Sequence, residues 1–384
     1  MSTMSELRQR YSGLQARGLK LDMSRGKPSP TQLDLSAGLL DIPSGPLSFY
    51  DDPDGSKTDM RNYGGLAGIK PMRGLAADFL EVDPDEVIVG GNSSLSMMYD
   101  TINFALHFGV PGGTGPWGKI PSARFLCVVP GYDRHFAICE EFGISMINVG
   151  MDESGPLMDD VEKLVSDEKV VGMWIVPRYS NPSGQVFSDE VICRLASMQT
   201  GTDFRLFCDD AYRVHHLTKS PRKQKNMFEA FQQEGNLDKL LLFASTSKIT
   251  HAGAGVGMMA ASERNLEWYL KHKGYSTIGP DKINQLRHYI FLRSMDRIHA
   301  LMDQHADLLL PKFQAVQTVL DRELGSSDLA TWSRPEGGYF VSLDTKPRLA
   351  GKVVALAAEA GLDPARLPAH VAVIMEDQSA VFDF

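Results

Sequence analysis

From about residue 86 onward, short apolar runs alternate with longer amphipathic ones. The apolar runs fall at residues 86–91, 124–130, 144–150, 170–177, 205–211, 240–245 and 256–261. They are rich in Val, Ile, Leu and Phe without strict polar alternation, the pattern of strands covered on both faces. Between them, residues 94–108, 134–142, 158–165 and 188–198 carry helical periodicity, and Ser188 ahead of Val191 reads as a capped start. This rhythm predicts an α/β fold: a mostly parallel seven-stranded sheet with helices on both faces. The flanks differ. Residues 4–17 read as a helix followed by a Gly/Pro-rich connector, residues 280–323 as a long helical stretch, and Gly337-Gly338-Tyr339-Phe340-Val341 as a strand. The expected division is a large domain over residues 49–290 and a small α+β domain from residues 1–48 and 291–384.

Composition narrows the classes. The 384 residues exceed a prior of about 150 per domain, and 43% apolar against 23% charged residues is enough for a sizeable core. A net charge of −9 without a long basic block argues against nucleic acid; Arg222-Lys223-Gln224-Lys225 reads as a solvated loop. The polar residues 1–10 hold no signal-peptide core, and no apolar run reaches the roughly 18 residues of a membrane span. Cys127, Cys139, Cys193 and Cys208 form no CxxC pair, and the ten histidines include no HExxH. The expectation is a cytoplasmic protein with reduced thiols, no metal site and no membrane contact.

Candidate chemistry begins at Lys248, which closes Ser245-Thr246-Ser247-Lys248 and precedes the small-residue segment 252–257. A lysine presented at a strand end before a tight glycine loop can be desolvated, its pKa lowered, and its amine made ready for an imine with a carbonyl compound. If that compound is pyridoxal phosphate, four further groups are required. A carboxylate must keep the pyridine nitrogen protonated, and Asp209 or Asp210 follows an apolar run. A donor must reach the ring's 3-oxygen, and Tyr212 and Asn181 are placed for it. An aromatic neighbour for the ring face is available in Tyr132. Gly90-Gly91-Asn92-Ser93-Ser94, between a strand and a helix, offers hydroxyls and a helix N-terminus to a phosphate. Each feature alone is an ordinary turn, cap or packing residue. All five fall at the carboxyl ends of the expected strands, where open α/β sheets bind ligands.

Taken together, these motifs resemble the fold-type-I pyridoxal-phosphate-dependent aminotransferases, in particular a bacterial aspartate aminotransferase branch. The stretches are GNSSLxMMYD from Gly91, PxYSNPxG from Pro177, DDAYxxHHL from Asp209 and STSKxTxAGAG from Ser245, flanked by Arg25-Gly26-Lys27-Pro28 and Gly337-Gly338-Tyr339-Phe340. The resemblance implies Lys248 as the Schiff-base lysine and proton-transfer base, and Asp209 as partner of the pyridinium. It also implies Asn181 and Tyr212 on the 3-oxygen, Tyr132 on the ring, and Ser93, Ser94 and Ser245 on the phosphate. Tyr63 matches the aromatic residue that reaches the phosphate across a homodimer with shared active sites. The implied reaction passes an amino group between an amino acid, best matched by aspartate, and 2-oxoglutarate, with amino-acid and 2-oxo-acid partners.

Two departures from the family stand out. Val256 occupies the place where many relatives carry a phosphate-binding arginine. The family's C-terminal arginine for the substrate α-carboxylate has no counterpart in context; only Arg348 and Arg366 follow Phe340. The stretch from about Gly361 departs from the family's ending, and the chain reads as some tens of residues short. The alternative expectation is therefore a cofactor-binding homologue or scaffold with impaired turnover. For a dicarboxylate's second charge, Arg25, Lys27, Arg61 and Lys282 are the candidate cations, unranked by sequence. A lyase on the same fold stays open. Ser245-x-x-Lys248 also matches a serine acyl-enzyme motif whose companion motifs are missing. Gly113-x-Gly115-x-x-Gly118 spells a dinucleotide fingerprint, but Pro116, Trp117 and Pro121 make it a loop.

Overall fold

The computed structural model describes residues 3–23, 28–42, 49–51, 57–345, 349–364 and 379–383. All seven apolar runs are strands of one sheet: β1 (Val87–Val89), β2 (Arg124–Val128), β3 (Ser145–Val149), β4 (Val170–Ile175), β5 (Arg205–Asp209), β6 (Leu240–Ser245) and β7 (Gly257–Ala261). The order is β1-β7-β6-β5-β4-β2-β3. Neighbours are parallel except β7, which runs antiparallel to both β6 and β1. The start of β7 therefore meets the carboxyl ends of the other strands.

The absence of polar alternation follows from burial on both sides. In β6, Leu240, Leu242 and Ala244 enter one apolar cluster while Leu241 and Phe243 enter another on the opposite face. In β5 the same division separates Leu206 and Cys208 from Phe207. Twelve α-helices stand among the described residues: α1 (Met4–Ala16), α2 (Pro30–Asp34), α3 (Lys70–Leu80), α4 (Ser94–Phe108), α5 (Asp133–Glu141), α6 (Met158–Leu164), α7 (Asp189–Ser197), α8 (Met227–Gln233), α9 (Glu263–Lys273), α10 (Lys282–Leu292), α11 (Met295–Leu324) and α12 (Ala350–Glu359). Helices α3, α6, α7, α8 and α10 pack on the first cluster, and α4, α5 and α9 on the second. Ser188 caps α7 as its sequence suggests, its hydroxyl accepting from Val191 N at 3.2 Å. The long helical stretch is in fact two helices. Arg293 takes a left-handed φ of 57°, and Ser294 then caps α11 by accepting from Arg297 N. The 113–118 segment forms a loop and one 3-10 turn at Trp117–Lys119, not a strand-to-helix phosphate turn.

The chain ends meet. Leu21–Met23 pairs in parallel with Leu362–Pro364, and Tyr11 donates to Leu356 O and Glu359 Oε2. A second sheet orders β8 (Ala330–Trp332), β9 (Phe340–Thr345) and β10 (Ser379–Asp383) antiparallel. The expected strand signal begins later than its glycines: Gly338 has φ +75° and forms a turn before β9. Helix α11 joins the two regions. Ile298, Leu301 and Met302 lie in the main core, while Leu309 and Phe313 pack with Tyr339, Phe340 and Val341. Cys127, Cys139 and Cys208 are buried free thiols and Cys193 is exposed. No helix among the described residues is long and apolar enough to cross a membrane, and no group of three potential ligands could hold a metal.

Two packing features generate tests. The Phe125 ring lies over Gly172, its register partner in β4, so close that a Cβ there would stand 2.2 Å from the ring. Gly172→Ala should lower unfolding free energy by about 2 kcal/mol through overpacking, measured by urea titration; an unchanged midpoint would show that the ring moves freely. The second feature is acid sensitivity. Burial holds the imidazole of His215 down to about 3 and that of His288 to about 4, from an ordinary 6.5. A base with a depressed folded pKa stays neutral in the fold while the unfolded chain binds protons, so its stability contribution is full above 6.5 and is lost as pH falls toward 4. Urea titrations at pH 7 and pH 5 should differ by about 2 kcal/mol per buried histidine; equal stabilities would refute the neutral state.

Candidate active site

The carboxyl ends of the central strands supply the residues. Asp209 ends β5, is 4% exposed, and accepts from His135 Nε2 at 3.1 Å through Oδ2. Its Oδ1 is buried and has no hydrogen-bond partner among the described residues. His135 lies flat on Trp174, with centroids 4.4 Å apart and planes 6° apart, and meets the Tyr132 ring edge-on at 4.9 Å. Tyr132, His135 and Asp209 thus form one contiguous wall, with Trp174 behind it. The sequence offered no signal for His135 beyond its place in the first turn of α5, three residues after Tyr132.

The acidic pair 209–210 is divided by its surroundings. The buried Asp210 bonds Arg213 Nη1 at 2.8 Å, with Arg178 Nε 3.8 Å away, and Arg213 continues to Glu81 at 2.6 Å. Asp210 Oδ1 also lacks a hydrogen bond, but two guanidinium groups balance its charge. Asp209 has no guanidinium, only an imidazole and one open oxygen. It is the member of the pair available to a bound cation.

Lys248 sits in the turn after β6, where Ile249 N and Thr250 N both bond Thr246 O. Its Nζ stands 4.8 Å from the centroid of the Tyr212 ring, which is itself buried against Tyr339 and Phe340. Asn181 lies in a loop closed by Gly184 N bonding Ser180 O at 2.6 Å. Gly184 has φ +74° and packs against Pro335, where a Cβ would meet the ring at 2.7 Å. The Asn181 amide forms no hydrogen bond among the described residues and remains half-buried.

The anion cradle is made of glycines in register. Gly90 N bonds Gly257 O, Gly257 N bonds Gly91 O, and Asn92 Nδ2 reaches Gly253 O. A Cβ on Gly257 would stand 2.8 Å from the Ser93 carbonyl carbon, so only glycine admits this approach. Ser93 is the N-cap of α4 but makes no side-chain cap bond, which leaves the first N–H groups of a 15-residue helix facing outward. Ser245 and Ser247 lie alongside, Ser247 N donating to Ser245 Oγ and Ser247 Oγ to Asn92 O. Val256 points away, buried in the core at 1% exposure while its N–H bonds Thr246 Oγ1. An anion here would meet hydroxyls and helix N–H groups, with no contribution from position 256.

Tyr63 stands apart. It is 81% exposed, and Tyr275 at 87% and Ile278 at 63% are exposed too. Gly279 lies against Gly64 so closely that a Cβ would stand 2.5 Å from the Gly64 carbonyl oxygen. Of the four candidate cations, Arg25 and Lys27 lie outside the described residues, as do Arg348 and Arg366. Arg61 is held two-pronged by Asp59 at 2.9 and 3.0 Å. Lys282 is 6% exposed and donates to Asp59 O and Tyr63 O at 3.1 and 3.2 Å. Both fix the loop that presents Tyr63. Beside Pro130 and Ser183 opens a cleft of about 1320 Å³, lined also by Asn148, Arg222, Trp332 and Ser333. A hollow of about 740 Å³ between α3 and α8 is lined by Asp78, Glu86 and Glu229, a charge unsuited to an anionic substrate.

Residues 1–371 match the aspartate amino-transferase family. A relative in Mycolicibacterium smegmatis named as an aminotransferase is 49% identical over 360 residues, covering 93% of this chain and 84% of its own length. An aspartate aminotransferase of Corynebacterium glutamicum is 43% identical over 358 residues, covering 93% and 82%. The crystal structure of an aspartate transaminase from that organism superposes with a TM-score of 0.93 at 41% identity, over 99% of this chain and 89% of that one. A fold, a strand-end constellation and a sequence match thus agree, and the chain belongs to the aspartate aminotransferase family.

Proposed function

We propose that this chain is a pyridoxal-phosphate-dependent transaminase that passes the amino group of aspartate to 2-oxoglutarate. The observation that carries the reading is the buried, unpartnered Oδ1 of Asp209, one strand away from the turn that presents Lys248 over Tyr212. A buried carboxylate oxygen without a donor is costly unless a cationic N–H fills it. A protonated pyridine nitrogen is such a group. The cradle of Ser93, Ser94 and Ser245 beside the α4 N-terminus suits a phosphate, so the residues present fit the cofactor at both ends.

Bound there, pyridoxal phosphate supplies an electron sink for the bonds at an amino acid's α-carbon. Asp209 would keep the proton on the ring nitrogen, and His135, wedged between Trp174 and Tyr132, fixes the carboxylate that does so. Tyr132 would cover the ring face, while Asn181 and Tyr212 would offer an amide and a phenol to the 3-oxygen. Lys248 would hold the cofactor through its amine and would serve as the base that takes the proton from the amino acid's α-carbon. Two half-reactions then exchange amino acid for 2-oxo acid. Tyr63, Tyr275 and Ile278 are exposed on segments that meet at Gly64–Gly279 and Leu66–Gly274, apolar surface suited to a second copy of the chain, with Tyr63 reaching that copy's phosphate. Aspartate is supported by the similarity to the Corynebacterium glutamicum enzyme.

A second reading, a cofactor-binding protein with impaired turnover, is favoured by the commitment of Arg61 and Lys282 to the chain itself. One spectral assay separates the two. Purified protein mixed with pyridoxal phosphate should gain a visible band that aspartate bleaches and 2-oxoglutarate restores. A band indifferent to aspartate and to other amino acids supports impaired turnover; no band at all sinks both readings. Lys248→Ala should abolish the band shift. Asp209→Ala should keep the lysine adduct but lower kcat by at least about 100-fold; an Asp209→Ala variant within a few-fold of wild type would remove its assigned role.

A further inference from the structure

Three consecutive residues of the Lys248 turn are each held by a histidine from a different part of the chain. His215, from the segment after β5, donates through Nε2 to Lys248 O at 3.2 Å. His305, from α11, donates through Nε2 to Ile249 O at 3.1 Å. His288, from α10, meets Thr250 Oγ1 through Nε2 at 2.9 Å. All three rings are buried, two of them completely. The partners fix the tautomers. His305 Nδ1 faces the amide nitrogen of Gln32 at 3.1 Å and so accepts, which leaves Nε2 as the donor. His288 Nδ1 donates to Asn284 O at 2.9 Å, so its Nε2 accepts from the Thr250 hydroxyl. His215 Nδ1 has no hydrogen-bond partner among the described residues, in keeping with a proton on Nε2.

The turn needs these contacts. The N–H groups of Ile249 and Thr250 close on Thr246 O, while the carbonyls of Lys248 and Ile249 accept from His215 and His305, with Ser36 Oγ also 3.5 Å from Ile249 O. Buried carbonyls left open would invite water or a shift of the turn. A lysine amine rides on a four-carbon stem, so its reach over Tyr212 depends on where the turn fixes its Cα. An error near 1 Å at a reacting group costs about 100-fold in rate.

We infer that His215, His305 and His288 are positioning residues, a three-imidazole cradle that fixes the Lys248 turn so its amine meets the substrate carbon. His305 extends the cradle to the N-terminal segment, because Gln32 also donates to Tyr339 Oη at 3.1 Å while its Oε1 accepts from Ser29 N. The assembly of residues 29–32 and of α11 is thereby coupled to the lysine. The inference rests on the transaminase reading above.

The test uses two amides as mimics of the two ring nitrogens: glutamine places its NH2 near the position of Nε2, asparagine near that of Nδ1. His215→Gln should keep kcat within about twofold of wild type. His215→Asn should lower kcat about tenfold with KM for the amino donor little changed, and should move the pH midpoint of the visible band by about half a unit or more. His305→Gln and His305→Asn repeat the comparison at the neighbouring carbonyl and serve if the first pair fails to fold. Glutamine and asparagine variants that behave alike, or asparagine variants that lose only melting temperature while kcat and the band midpoint stay put, would overturn the cradle. A wild-type chain without a visible band overturns the transaminase reading itself. A wild-type band with indifferent variants overturns the cradle alone.

Discussion

The sheet is sealed by helices on both faces, and every other feature of the candidate site follows from that constraint. Strands whose two faces are apolar leave no room along their length for a charged side chain. Polar chemistry is therefore pushed to the strand ends, where the backbone ladder stops and loops can bring donors and water. Asp209, Lys248, Asn181, Tyr132 and Ser93 all lie there, where loops and helix starts can bring polar partners to them. The antiparallel β7 adds a second consequence. Its first residue, Gly257, meets the Ser93 and Ser94 backbone before α4 at close range, an approach that only a glycine at 257 allows.

Charge is distributed in that edge by neighbours rather than by residue type. Asp209 and Asp210 are adjacent and both buried, yet Asp210 is matched by guanidinium groups and Asp209 by a single imidazole. A carboxylate already balanced by arginine has little to gain from another cation. One with an open oxygen in an apolar wall has much to gain. The same logic separates the lysines: Lys282 gives its protons to two carbonyls of the Tyr63 loop, while Lys248 is presented over an aromatic face.

The seven strands and the helices α4, α5, α6 and α7 were legible because period and length were unambiguous. Helices α3, α8, α9 and α12 were not. In α9 only Asn265, Leu266 and Tyr269 are buried, too few to impose a period on a polar segment. The break at Arg293 was hidden because both flanking helices carry compatible periodicity, and a single left-handed residue leaves no compositional mark. His135, His215, His288 and His305 were invisible as a group. Their importance lies in which atoms they face, and those atoms are contributed by segments 33 to 74 residues away.

What the sequence determined by itself was the alternation that dictates the sheet, the motifs that identify the family, and the residue types at each strand end. These are local properties, set by side-chain period and by the backbone freedom of glycine. Only the tertiary structure decided which acid of the pair keeps an open oxygen, where Val256 points, and what holds the lysine turn. Those outcomes depend on desolvation and on partner geometry, and both come into being when distant segments pack.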